Sequence, residues 1–185
     1  MRTSTLLSLA TAASSALAFP LWPRADCMSA ADAAGVVEIY KKLIAAYTEA
    51  DGLKYTTKDF VDVSDSINTF IHLPLGGPTF PNQEIFNEAQ LQNPPFPLEV
   101  LSVDAATCDV IALQWQATFG EAQLSSKGLT ILKTRKEDGI WKIAKIDVEF
   151  NALTWLLNMG GSYTWEDKTF TPEAPDAALK AKPAH

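Results

Sequence analysis

The chain has 185 residues, of which 47% are hydrophobic and 20% charged, and it carries a net charge of -7. A single domain of that length and apolar content can bury a core of useful size. The acidic balance, with a pI near 4.8, excludes nucleic acid and anionic membrane surfaces as partners, because phosphate binding rests on clustered Lys and Arg.

Residues 1–18 read as a secretory signal peptide. Arg2 precedes an apolar run at Leu6, Leu7 and Leu9, and Ala16-Leu17-Ala18 supplies the small-residue cleavage pattern. The expected location is therefore extracellular. Residues 19–28 form an N-terminal arm, which either stays whole or is cut again after Arg24. No later stretch reaches about 18 uninterrupted apolar residues, so no membrane span is expected. The two cysteines, Cys27 and Cys108, enter an oxidising route and are expected to form a disulfide. Closing a loop of that size contributes roughly 4 to 5 kcal/mol in the chain-entropy model. Neither has a His or another Cys near it in sequence, so no metal site and no cofactor is implied.

Over residues 29–50, Val36, Val37, Tyr40, Leu43, Ile44 and Tyr47 recur at helical spacing and predict one long amphipathic helix, ended by Asp51-Gly52. Thr56-x-x-Asp59 reads as a capping box that opens a short second helix through Phe60 and Val61. Alternation over residues 67–73 predicts a strand, closed by Pro74. Asn82 caps a third helix through Ile85, Phe86 and Ala89, which Asn93-Pro94-Pro95 stops. Residues 98–103, 110–119, 127–135 and 141–150 predict an antiparallel meander, with a hairpin turn at Glu137-Asp138-Gly139. In its last strand the apolar parity changes from Trp141 and Ile143 to Ile146, Val148 and Phe150, which predicts a bulge near Ala144-Lys145. A short apolar helix follows Asn151 and stops at Gly160-Gly161. The domain thus spans 29–161, and the tail, 162–185, is expected to be largely disordered because it offers little apolar content.

Four segments carry a family resemblance: AAYTEADG from Ala45 to Gly52, the strand VIALQWQATFG, the strand GLTILKTRKEDG, and the ending WKIAKIDVEFNALTWLLNMGG. Together they resemble the nuclear transport factor 2-like superfamily, which includes SnoaL-like cyclases, ketosteroid isomerases and scytalone dehydratase. The resemblance spans residues 30–161. It implies an α+β fold in which a cone-shaped, strongly curved antiparallel sheet wraps around N-terminal helices. With its signal peptide and single disulfide, the chain is similar to the secreted fungal members. The superfold hosts enzymes, ligand binders and interaction modules, and many members dimerise.

Within such a fold the candidate catalytic residues are His72, Asp147 and Tyr40. His72 shares strand parity with Asn68 and Phe70 and titrates near neutrality, as a general base should; a satisfied or solvent-facing histidine is the other reading. Tyr40 and Tyr47 lie two turns apart on the first helix, where the resemblance implies a tyrosine that donates to a developing oxyanion. Core packing with a satisfied hydroxyl is the alternative. Asp147 and Glu149 share the parity of Asn151. Inside an apolar cone the two acids would raise each other's pKa; if Ile146, Val148 and Phe150 take the inner face, the acids stand in water.

Asn151 occupies the place where many SnoaL-like sequences carry an acid. An amide orients a carbonyl or hydroxyl but abstracts no proton. Trp115, Phe119 and Trp155, with Tyr40, Tyr47 and Asn151, are the expected wall for a flat apolar ligand; plain core or a dimer face is the alternative for the aromatic stripe. The expected function is binding of a small apolar molecule in the cone. The rivals are a cyclase, isomerase or dehydratase of secondary metabolism, and an interaction module that forms a homodimer through the sheet. An enzyme needs one of the candidates to meet another polar group in the interior. An interaction module needs a filled interior and an exposed apolar sheet face.

Overall fold

Ser29 opens the first element with a reciprocal cap. Its hydroxyl accepts from the Asp32 N–H, while the Asp32 carboxylate accepts from the Ser29 N–H at 3.0 Å. The structure, a computed structural model, describes residues 27–173; the expected signal peptide, the expected cut after Arg24 and the tail past Glu173 lie outside the described residues. The capped helix, α1, runs Ala30–Ala45 and buries Val36, Val37, Tyr40 and Leu43. It stops short of residue 50 because Thr48 caps a second helix, α2 (Glu49–Tyr55), by accepting from the Asp51 N–H. Tyr47 therefore lies in the link between two helices, and Asp51-Gly52 sits inside α2. Gly52 is needed there, since a Cβ would stand 2.1 Å from the Tyr47 hydroxyl.

The next two expectations exchange places. Thr56–Val63 is a strand, β1, instead of a helix, with Phe60 and Asp62 buried. Asp65–Ile71 is a helix, α3, instead of a strand. Ser64 caps α3 by accepting from the Ile67 N–H, and the Glu149 carboxylate accepts from the Asp65 and Ser66 N–H groups. Satisfying those orphan donors decides the stretch against its alternating pattern. The third expected helix is found as α4 (Gln83–Gln90), capped by Asn82.

β2 (Leu98–Ala106), β3 (Val110–Ala117), β4 (Ser126–Glu137) and β5 (Ile140–Phe150) form the antiparallel meander. β1 joins it parallel to β5, so the order is β1-β5-β4-β3-β2 and the sheet is mixed, not wholly antiparallel. The bulge falls at Ala144: Lys133 pairs with Lys145, whereas Thr134 pairs with Ile143. Two register shifts in β2 bend the other edge. The curved sheet stays open and packs Ile111, Leu113, Leu132, Ile143 and Ile146 against Val36, Leu43 and Phe86.

The Cys27–Cys108 disulfide fastens the start of α1 to the turn between β2 and β3, beside a backbone bond from the Met28 N–H to the Cys108 carbonyl at 3.0 Å. α5 (Ala152–Asn158) follows β5. The residues beyond it form a hairpin, β6 (Tyr163–Trp165) and β7 (Lys168–Phe170). Among the described residues, no helix is long and apolar enough to cross a membrane.

Candidate functional site

Three side chains from three elements meet inside the curve of the sheet. The Tyr40 hydroxyl, on α1, lies 2.8 Å from Thr130 Oγ1 on β4. The Trp115 indole N–H, on β3, donates to the same Thr130 oxygen at 2.9 Å. Trp115 fits there because β4 carries Gly128 opposite it; a Cβ at Gly128 would stand 2.3 Å from the ring. The group holds three N–H or O–H donors and makes two bonds, so one hydroxyl proton, of Tyr40 or of Thr130, is left to donate elsewhere. Burial pushes the Tyr40 pKa up; the Thr130 bond opposes that shift and the Asp62 charge adds to it.

Asp62 is the carboxylate of this interior. It is 2% exposed, and its Oδ1 is buried without a hydrogen-bond partner. Burial, followed by the charges of Asp147 and Glu149, pushes its pKa up to about 8. At neutral pH the group therefore keeps its proton and is able to donate a hydrogen bond, as carboxylic acids in apolar sites do. Its charge is felt at the Tyr40 hydroxyl, and a protonated carboxyl group is able to polarise a carbonyl or hydroxyl and to exchange a proton with it.

An aromatic cluster centred on Trp155 of α5 borders this interior. Its ring lies 4.3 Å from Phe119, 4.6 Å from Phe150, 5.9 Å from Phe96 and 6.2 Å from Trp115, centroid to centroid. Trp155, Phe119, Phe150 and Phe96 are half-buried, so the cluster links solvent to the buried Trp115. Trp115, Phe119 and Trp155, named from the sequence, are thus brought together with Tyr40.

The other sequence candidates stand elsewhere. His72 is the exposed left-handed C-cap of α3, at φ 59, and shares no strand face with Asn68 or Phe70. Asn151 is exposed and caps α5 by accepting from the Thr154 N–H at 3.1 Å; its amide has a helix terminus to satisfy. Asp147 pairs with Lys145 at 2.5 Å, and Glu149 is held by the start of α3. The Tyr47 hydroxyl lies over Gly52, apart from Thr130, and burial pushes its pKa up to about 12.

Asp62 was missed because Thr56-x-x-Asp59 imitates a capping box. The signal that finds it is the alternation of Phe60, Asp62 and Ser64 on one side of a strand. Among the described residues, no group of three or more His, Cys, Asp or Glu could hold a metal ion.

The sheet's outer face is unlike its inner one. Leu101, Leu129 and Ile131 are 41%, 59% and 45% exposed. An open hollow of about 420 Å³ adjoins them, framed by Leu101, Gln114, Lys127, Leu129 and Glu149 and reaching Trp115, Gly128 and Phe150.

The model of the NTF2-like domain family matches residues 26–162. No curated protein matches the chain in sequence. Among solved structures, IdmH from Streptomyces antibioticus, provisionally assigned as a polyketide cyclase, is 14% identical at a TM-score of 0.52, over 70% of this chain and 98% of its own. A SnoaL-like protein from Burkholderia thailandensis is 15% identical at 0.51, over 68% of this chain and 98% of its own. A protein from Catenulispora acidiphila with a ketosteroid isomerase-like fold, solved with trimethylamine, is 14% identical at 0.50, over 68% and 92%. At such identities the likeness is one of fold.

Proposed function

The chain belongs to the NTF2-like domain family, and on that premise we propose that it is a secreted protein that takes a small, flat, largely apolar molecule between the aromatic cluster on one side and Asp62 and Tyr40 on the other, and transfers a proton at that molecule's carbonyl or hydroxyl group. The observation that carries the reading is Asp62, a carboxyl group 2% exposed with an unpartnered buried oxygen, whose charge is felt at the Tyr40 hydroxyl. Leaving a buried acceptor unmet costs stability, and perturbed groups of this kind gather at working sites. The chemistry is that of an isomerase, cyclase or dehydratase, with Asp62 in the role expected of Asp147 or His72. The signal peptide directs the chain to an oxidising compartment, where the Cys27–Cys108 bridge persists.

Fluorescence titration of the secreted protein with 2-naphthol and 2-acetylnaphthalene, followed through Trp115 and Trp155, tests the site. Saturable binding is expected, and Asp62→Asn should weaken it about tenfold, the size of one buried hydrogen bond. Native mass spectrometry of the purified protein should also show a bound small molecule. Absence of saturation together with an unliganded mass would overturn the reading.

A second reading has its own support in the outer face, where three apolar side chains stand exposed, two of them lining an open hollow. Monomers seldom leave such a patch uncovered, and a second copy meeting it face to face would cover it.

A further inference from the structure

The family match ends at residue 162, and the β6–β7 hairpin begins at Tyr163, so the hairpin lies beyond the matched domain. A two-stranded hairpin is marginal alone, and this one carries its own clasps. Tyr163 and Phe170 stack with centroids 4.8 Å apart and planes 21° apart, and the Thr164 and Thr169 hydroxyls meet at 3.1 Å. The register sets Trp165 opposite Lys168, so Tyr163, Trp165, Lys168 and Phe170 share one face. Trp165 is 68% exposed on it. The turn is made by Glu166 and Asp167, both at positive φ, 47° and 62°, where Asn and Gly sit at lower cost. Two acidic side chains thus occupy the tip at the expense of the backbone.

We propose that this hairpin is a carbohydrate-binding tip, in which Trp165 stacks on the C–H face of a pyranose ring while Glu166, Asp167 and Lys168 hydrogen-bond its hydroxyls. Size argues for a small unit. A stable protein partner buries about 800 Å² per side, more than one indole at a hairpin tip presents, whereas one indole covers one sugar ring. Charge argues for a neutral one. A net charge of -7 repels polyanions, and Lys168 beside Trp165 disfavours a cation over that ring. The slightly positive C–H hydrogens of a sugar suit the negative face of an indole, and its hydroxyls both accept from an ammonium and donate to carboxylates.

Co-sedimentation of the secreted protein with microcrystalline cellulose, chitin, β-1,3-glucan and mannan tests this, with serum albumin as control. At least one neutral polysaccharide should retain the protein, and retention should persist in about 0.5 M NaCl, where exposed charge pairs are screened. Trp165→Ala should lower the bound fraction at least tenfold with an unchanged melting temperature, and Trp165→Tyr should restore part of it. Retention by none of the four, equal retention of Trp165→Ala, or loss of all retention in salt would each overturn the proposal. A concentration-dependent dimer that Trp165→Ala dissolves would overturn it as well, by showing that a second copy covers the ring.

Discussion

The two faces of β5 treat carboxylates differently. Outward, Asp147 has Lys145 and Glu149 has the first N–H groups of α3; both acids are accounted for by the fold. Inward, the neighbouring β1 places Asp62 in register with Ile146, buried among apolar side chains with an oxygen unmet. The outward acids were the conspicuous ones in the sequence, yet their partners give them structural work. The inward acid has no structural account, and a group that the fold pays for without using is where function is to be sought.

Substitution at neighbouring inner positions gives the largest expected effect. Trp115 is 2% exposed and bonds Thr130, so Trp115→Ala should cost about 3 to 5 kcal/mol in denaturant unfolding. A loss under about 1 kcal/mol would show that the inner face is loosely filled, and the contrast between the faces would fail.

The pH dependence of stability separates the two kinds of acid. Burial lifts the folded Asp62 carboxyl to about 8 from its ordinary 3.8, so the unfolded chain ionises first. Stability should be greatest below the unfolded value, fall as pH rises from there, and level off above about 8. The slope from this one group is at most about 1.4 kcal/mol per pH unit. Melting temperatures measured across that window should fall in the wild type and in Asp147→Asn, while Asp62→Asn should lack this component. An unchanged slope in Asp62→Asn would mean that Asp62 meets water.

Much of the fold was legible because its signals are local and repeated. The meander shows in the alternation of Ile111, Leu113, Trp115 and Ala117, the turn in Asp138-Gly139, and the bulge in the parity change that resolves at Ala144. Residues 56–71 were not legible, because the decisive partner of α3 is Glu149, more than eighty residues away. With those two elements exchanged, β1 was hidden, and with it both the parallel pairing and Asp62. Asn151 was placed correctly at the end of the last strand; its side chain turns to the Thr154 N–H, a local demand that any Asn before a helix can meet. The aromatic wall was legible from Trp115, Phe119 and Trp155, whereas Phe96 and Phe150 join it only through tertiary packing.

The smallest effect on the monomer, and the sharpest test of the outer face, lies at Leu129 and Ile131. Both point away from the core, so replacing them together with Ser removes little buried area and should change stability by no more than about 0.5 kcal/mol. Their effect on assembly should be larger. A face-to-face dimer would bury about 800 Å² on each partner, and these two residues, with Leu101, supply its apolar centre, where truncation costs most. Sedimentation velocity should then show a dimer for the wild type and a monomer for the double variant at the same concentration. A wild type that sediments as a monomer would sink the dimer reading, and would leave the apolar row as a surface that solvent covers.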